Sequence, residues 1–278
     1  MSYATRFAPS PTGPLHLGHA FSALLAHDRA RAAHGTFHLR IEDTDAERSR
    51  DEWVALIEKD LAWLGIDWPR PALRQSEHLA RYDAALGRIV AMGVAYPCSC
   101  TRADIAAAAT APQEGATYGP VYPGTCRART MESRAPGDAL RLDMAAAAAR
   151  TGTVRFTETG AARAGDHAVA PETLVATAGD IVLARKGSGA VSYFMASALD
   201  DDFQSITEVV RGTDLFDFTP VQVLLLTLLG LSVPAYHHHR LIRDAGGRRL
   251  AKRDDARAIS KYRDDGLMPS EVRAMVGL

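Results

Sequence analysis

A chain of 278 residues, 47% of them hydrophobic, is long enough to bury a large core and to divide into two compact units. Its formal net charge of −1 excludes a global basic field, so any nucleic acid must be met through local patches. Three cysteines exclude a disulfide framework and point to a reducing compartment or a metal site.

No charged segment followed by an apolar stretch opens the chain, so no signal peptide is expected. The longest apolar run, Val221–Leu231, is interrupted by Gln222, Thr227 and Gly230 and is too short for a bilayer. A soluble, cytoplasmic protein without a membrane partner is the expectation.

The first informative stretch is Arg6-Phe-Ala-Pro-Ser-Pro-Thr-Gly-Pro-Leu-His-Leu-Gly-His19. It reads as a short strand, a turn through prolines and glycine, and the start of an apolar, alanine-rich helix. A helix N-terminus carries unpaired N–H groups and a partial positive charge, which suits a triphosphate. Gly18 lets a nucleotide approach the backbone, and His16 and His19 can donate hydrogen bonds to phosphate oxygens. The plainer alternative is that both histidines merely cap the helix.

Helical spacing over 20–34 puts Phe21, Leu24 and Leu25 on one face, with Gly35 as the cap. Residues 36–41 alternate as a second strand ending in Glu42-Asp-Thr-Asp45. Carboxylates at the end of a strand fit the ligand crevice of an open α/β sheet, and Asp45 is placed to cap the next helix. Helices follow over 48–64 and about 77–92, the latter ending at Gly93.

Composition changes at Tyr96. Cys98-Ser-Cys100 and Cys126 supply three thiolates that could surround a tetrahedral zinc, with Tyr118, Tyr122 or Asp104 as the nearby oxygen donors; three buried free thiols are the alternative. Strands are expected at 139–144, 153–159 and 180–185, making 97–189 an insertion with its own mixed sheet. Sheet-and-helix character then returns: Val191–Met195 leads into 196–199 and the acidic Asp200-Asp-Asp202. The strand 205–211 ends in Arg211 before a glycine, again where a ligand would be held. A helix spans 218–230. Tyr236-His-His-His239 is a metal cluster by composition only, since three consecutive histidines cannot readily face one ion. Asp244-Ala-Gly-Gly-Arg-Arg-Leu-Ala-Lys-Arg253 makes a glycine-rich basic loop able to neutralise phosphate charge, or simply a solvated one. Helices near 255–264 and 269–276 finish the chain, with Pro269 at a helix start.

The order of Arg6–His19, Arg40-Ile-Glu-Asp-Thr-Asp45, Arg74-Gln-Ser-Glu77, Cys98/Cys100/Cys126, Tyr193, Asp200-Asp201, Ile206-Thr-Glu-Val-Val-Arg-Gly212 and Arg249–Arg253 resembles that of the glutamyl-tRNA synthetases, over almost the whole chain. Those class I enzymes have a Rossmann-like nucleotide-binding fold split by an insertion. The chain ends just past the second ATP signature, without an anticodon-binding region. In this it resembles the truncated glutamyl-queuosine tRNA(Asp) synthetase family.

The resemblance implies an α/β architecture: a Rossmann-like catalytic domain at 1–96 and 190–240, a zinc-bearing α+β module at 97–189, and a KMSKS-like loop with terminal helices at 241–278. It implies that Arg6, Ser10, Glu42, Tyr193 and Arg211 form the glutamate pocket, and the chemistry agrees: two arginines and a carboxylate complement a substrate with two carboxylates and an ammonium. It implies that His16, Gly18 and His19 bind ATP, that Lys252 stabilises phosphate charge, and that Cys98, Cys100, Tyr122 and Cys126 hold a structural zinc. ATP with Mg²⁺, L-glutamate and the anticodon stem-loop of tRNA(Asp) are the implied partners of a monomer. Two departures stand out: Ala251 replaces the usual serine of the second signature, whose first cation is Arg249, and His-His-Arg replaces His-Leu-Pro near 238–240.

Three other readings compete. A conventional glutamyl-tRNA synthetase fragment would charge the 3′ end of tRNA(Glu). Another nucleotidyltransferase would leave the glutamate-pocket residues and the cysteines unexplained. A zinc-dependent RNA-binding module would show no ATP turnover.

Overall fold

The computed structural model describes residues 2–108, 121–242 and 257–278. In chain order its first elements are β1 (Ala4–Phe7), α1 (Leu17–Ala32), β2 (Thr36–Ile41), α2 (Asp51–Trp63), β3 (Leu73–Arg74) and α3 (Leu79–Ala91). Then come β4 (Ala95–Cys98), α4 (Arg102–Ala108), β5 (Ala139–Leu142), α5 (Met144–Thr151), β6 (Val154–Glu158), β7 (Gly165–Val169), α6 (Pro171–Thr177) and β8 (Val182–Ala184). The chain closes with α7 (Tyr193–Phe203), β9 (Glu208–Gly212), α8 (Thr219–Leu229), β10 (Ala235–His239), α9 (Ile259–Asp264) and α10 (Pro269–Val276).

β1, β2 and β3 pair in parallel, and so do β9, β10 and β6. The two groups meet where Thr207 N–H donates to the Ala4 carbonyl at 2.9 Å, which sets β9 beside β1. Strands from the two halves of the chain thus run side by side, β1 contacting both β2 and β9, so the strand order changes there. Such a switch point opens a crevice at the carboxyl ends of the strands. Parallel strands covered on both faces must be apolar throughout, and all four residues of β1 are buried.

Two apolar clusters support this sheet. Phe7, Leu24, Leu39, Ile57 and Leu61 pack with Ile259 and Val272 of the terminal helices. Tyr82, Leu142, Met195, Leu224 and Tyr236 form the other. Arg263 and Arg273 pair with Asp60 and Asp28 and tie α9 and α10 to α2 and α1. No described helix is long and apolar enough to cross a membrane; the run over 221–231 is α8, capped by left-handed Gly230 (φ +67°).

Several expectations are corrected. Residues 97–189 do not keep to one sheet of their own. β4, β5 and β8 make an antiparallel sheet, but β6 pairs with β10, so the β6–β7 hairpin extends the larger sheet. α1 begins at Leu17, three residues earlier than its apolar pattern. Gly35 is not the left-handed residue of its C-terminus, which is His34 (φ 49°); Gly35 N–H donates to the Ala30 carbonyl at 2.8 Å, and the glycine is needed because a Cβ would stand 2.2 Å from the Tyr3 carbonyl oxygen. Asp45 caps no helix; it bonds Arg48, and α2 begins after Arg50 without a side-chain cap. The histidine run 237–239 is the end of β10.

Candidate active site

A cavity of about 550 Å³ opens at the carboxyl ends of β1, β2, β9 and β10, against the N-terminus of α1. Arg6, Ser10, His16, Gly18, His19, Glu42, Tyr193 and Arg211 all line it, so residues spread over two hundred positions converge on one space.

His16 is the N-cap of α1. Its Nδ1 accepts from Gly18 N–H at 3.1 Å, while His19 Nδ1 accepts from His16 N–H at 3.2 Å, and the rings stack with centroids 3.8 Å apart. The capping alternative is therefore realised, and it has a chemical consequence. With both Nδ1 atoms acting as acceptors, each neutral ring carries its proton on Nε2, as a donor. Gly18 has a structural reason too: a Cβ would lie 3.0 Å from the His16 ring.

Arg6 is buried, with Nε donating to Asp201 at 2.9 Å and its terminal nitrogens to the Val210 carbonyl and Asp201 at 3.4 Å. Asp201 also pairs with the fully buried Arg40 at 2.8 Å. One carboxylate thus holds two guanidiniums, and Arg6 keeps one further N–H on each terminal nitrogen. Glu42 is 12% exposed and 4.0 Å from Arg40; burial pushes its carboxyl up to about 7, against the opposing pull of Arg40 and Arg6.

Arg211 is different. Its Nε donates to His238 Nε2 at 3.0 Å, Nη1 to Gln222 at 2.5 Å and Tyr193 Oη at 3.5 Å, and Nη2 to the Leu215 carbonyl and Thr219. Every one of these partners is uncharged. Burial first, and then the Arg211, His239 and His237 charges, push His238 down to about 2, so its ring is neutral. Among the described residues no carboxylate pairs with Arg211, so its buried charge is met there by neutral groups.

The cysteines come together elsewhere. The Sγ atoms of Cys98, Cys100 and Cys126 all lie within 4.8 Å of one another, Cys100 and Cys126 at 3.6 Å. Tyr122 Oη is 3.4 Å from both Cys98 Sγ and Cys100 Sγ. A tetrahedral zinc with bonds of about 2.3 Å to sulfur and 2.0 Å to oxygen needs S···S near ~3.8 Å and S···O near ~3.5 Å, so the donor set fits. Burial raises the Cys126 thiol, but hydrogen bonds from Tyr122 and Ser99 outweigh it and bring it to about 6. Arg141 donates to Cys98 Sγ at 3.3 Å and stacks on the Tyr122 ring, while burial and then the neighbouring thiols raise the Tyr122 phenol above its ordinary value. Asp104 is not part of the set; it bonds Thr101 at the start of α4.

Lys252, with Arg248, Arg249, Ala251 and Arg253, lies outside the described residues, as does Tyr118. The described residues flanking 243–256 are anchored at the cleft: Ile242 lines it, and Ala258 forms a bridge with His16. Sequence reasoning gave no site role to Gln222, Thr219 or Glu158, and quoted Arg40 only as the start of a motif. It quoted Asp201 as part of an acidic run, without the partners that reveal its use.

The family model described as tRNA synthetases class I (E and Q), catalytic domain, matches residues 2–278. The chain is 55% identical to the Glutamyl-Q tRNA(Asp) synthetase of Rhodobacter capsulatus over 99% of each protein. It is 40% identical to the protein of the same name from Symbiobacterium thermophilum, covering 96% of this chain and 83% of that one. A glutamate tRNA ligase from Elizabethkingia meningosepticum, solved in complex with its amino acid, superimposes with a TM-score of 0.75 at 26% identity; the whole chain spans 61% of that structure.

Proposed function

From the chain's membership of the class I tRNA synthetases of the glutamate and glutamine type, a family of ligases, we propose that it activates L-glutamate with ATP, without tRNA, and transfers it to queuosine at the wobble position of tRNA(Asp). The single observation that carries the glutamate reading is Arg211: a buried guanidinium whose described partners are all neutral, in the same cavity as Arg6 and Glu42.

In this reading Arg211 Nη1 and Tyr193 Oη, 3.5 Å apart, close on the side-chain carboxylate from two sides, and Arg6 adds a second cation. An amide in place of that carboxylate would leave Arg211 uncompensated, which disfavours glutamine. Glu42 takes the ammonium. The α-carboxylate stays available to attack the α-phosphorus of ATP, giving glutamyl-adenylate and pyrophosphate. His16 and His19 donate Nε2–H to phosphate oxygens at the α1 N-terminus, and Lys252 neutralises the charge that builds on the leaving pyrophosphate. Mg²⁺ arrives with ATP and offsets phosphate charge. A hydroxyl of queuosine then attacks the glutamyl carbonyl, releasing AMP. Cys98, Cys100, Tyr122 and Cys126 would hold zinc, away from the cleft, as a brace.

The test is ATP-dependent transfer of labelled glutamate to queuosine-bearing tRNA(Asp), unmodified tRNA(Asp) and tRNA(Glu). Label on the queuosine form alone, surviving removal of the 3′ end, is expected. Label on tRNA(Glu) that leaves with its 3′ end would establish the conventional synthetase instead.

A further inference from the structure

We propose that Glu158 is a positioning residue for the glutamate pocket, acting on Arg211 through His238. The inference rests on the reading of Arg211 as the glutamate carboxylate's partner.

Glu158 closes β6, in the segment expected to be a separate insertion, and its side chain is fully buried. One oxygen, Oε1, accepts two backbone N–H groups, from His238 at 2.9 Å and Gly160 at 2.6 Å. The other, Oε2, meets His238 Nδ1 at 2.5 Å, and the far side of the same ring, Nε2, meets Arg211 Nε at 3.0 Å. Phe216 lies edge-on to the imidazole and Tyr236 stacks on it, so the ring has little freedom to turn.

The proton positions follow from chemistry. A guanidinium only donates, so His238 Nε2 must present a lone pair. The ring's single proton is therefore on Nδ1, where it needs an acceptor, and Glu158 Oε2 is that acceptor. Glu158 thus holds His238 in the one tautomer that can receive Arg211. The arrangement also keeps a carboxylate one imidazole away from the cation. A direct Glu–Arg pair would occupy the guanidinium and cancel its charge; the relay steadies the Nε edge and leaves the charge for the substrate.

Glu158→Gln is the informative change because it keeps size and shape. The two backbone donors hold the amide oxygen at the Oε1 position, so the NH₂ group faces His238 Nδ1. The ring proton must then move to Nε2, against Arg211 Nε–H. In glutamate-dependent pyrophosphate exchange we expect Glu158→Gln to raise KM for glutamate at least about tenfold while KM for ATP stays within about twofold, since only the glutamate pocket loses its alignment. His238→Gln should show the same selective effect. Adding Glu158→Gln to it should cost less than about twofold more, because both changes act on one path. An equal rise in both KM values, or fully additive effects, overturns the relay. Its direct signature does not depend on glutamate turnover: the ¹⁵N shifts of His238 should report Nδ1–H in the wild type and Nε2–H in Glu158→Gln, and an unchanged tautomer overturns the inference. A wild type without glutamate-dependent exchange would overturn the proposed function instead, with the tautomer still deciding the relay.

Discussion

Glu42 lies 4.0 Å from the Arg40 guanidinium, yet burial pushes its carboxyl up to about 7, well above the ordinary carboxylate range. Arg40 is already committed to Asp201 at 2.8 Å and lies 3.9 Å from Asp200, so the help it gives Glu42 is diluted. Glu42 is therefore protonated in the free site at mildly acidic pH and ionised above about 7. An ionised Glu42 attracts a substrate ammonium, and a protonated one does not. We expect kcat/KM for glutamate to fall about tenfold per unit as pH drops below about 7, because that parameter follows the free enzyme. Glu42→Gln should abolish the break and lower kcat/KM throughout. A wild-type profile flat from pH 8 to 6 would contradict the assignment.

Asp201 serves two buried arginines, and removing its charge should be costly. Asp201→Asn strands the buried Arg6 and Arg40 beside a neutral amide. We expect a loss of about 3–5 kcal/mol in urea unfolding, the range for breaking a buried pair from one side. Glu58→Gln, in a surface pair whose Arg70 side chain is largely exposed, should cost under about 1 kcal/mol. Burial alone would raise the Asp201 carboxyl, but Arg6 and Arg40 hold it below its ordinary value. Its contribution is thus present above the unfolded-state pKa, about 4, and is lost as pH falls through the lower folded value. Equal costs for the two variants would sink this account.

The cysteine cluster predicts about one zinc per chain. Cys100→Ser should release it, since Cys100 Sγ touches both Cys126 Sγ and Tyr122 Oη. Tyr122→Phe should weaken retention without abolishing it, because three thiolates remain. Metal content after dialysis against a chelator checks both. A folded, metal-free wild type would remove zinc from the description of this protein.

What was legible in the sequence was local. β2 could be read because Phe37, Leu39 and Ile41 alternate with polar residues, and the glycine and histidines of 16–19 mark a helix start. β10 was hidden, because three identical histidines conceal that 238 and 239 are buried while 237 is only half so. β4 carries Pro97, tolerable because β4 is an edge strand, and β3 has only two residues. The cleft's supporting groups were beyond reach for another reason. Asp201 meets Arg6 across 195 positions and Glu158 meets His238 across 80, and nothing in an acidic run shows whether it faces water or a guanidinium.

Glycine positions separate two physical causes that a sequence cannot tell apart. At Gly65 the backbone is left-handed (φ +78°) and no atom lies near a prospective Cβ, so Gly65→Ala meets only backbone strain, about 1 kcal/mol. At Gly35 a Cβ would stand 2.2 Å from the Tyr3 carbonyl oxygen, a backbone atom already bonded to Thr36 N–H at 2.9 Å. Relief there requires β1 to move away from β2, and β1 carries Arg6 into the cleft. Gly35→Ala should therefore destabilise by about 1–3 kcal/mol or more and also raise KM for glutamate, whereas Gly65→Ala should leave KM unchanged. Paired urea titrations and pyrophosphate-exchange kinetics make the comparison. An alanine at 35 as harmless as one at 65 would mean that β1 and β2 are not packed as tightly as this close approach demands.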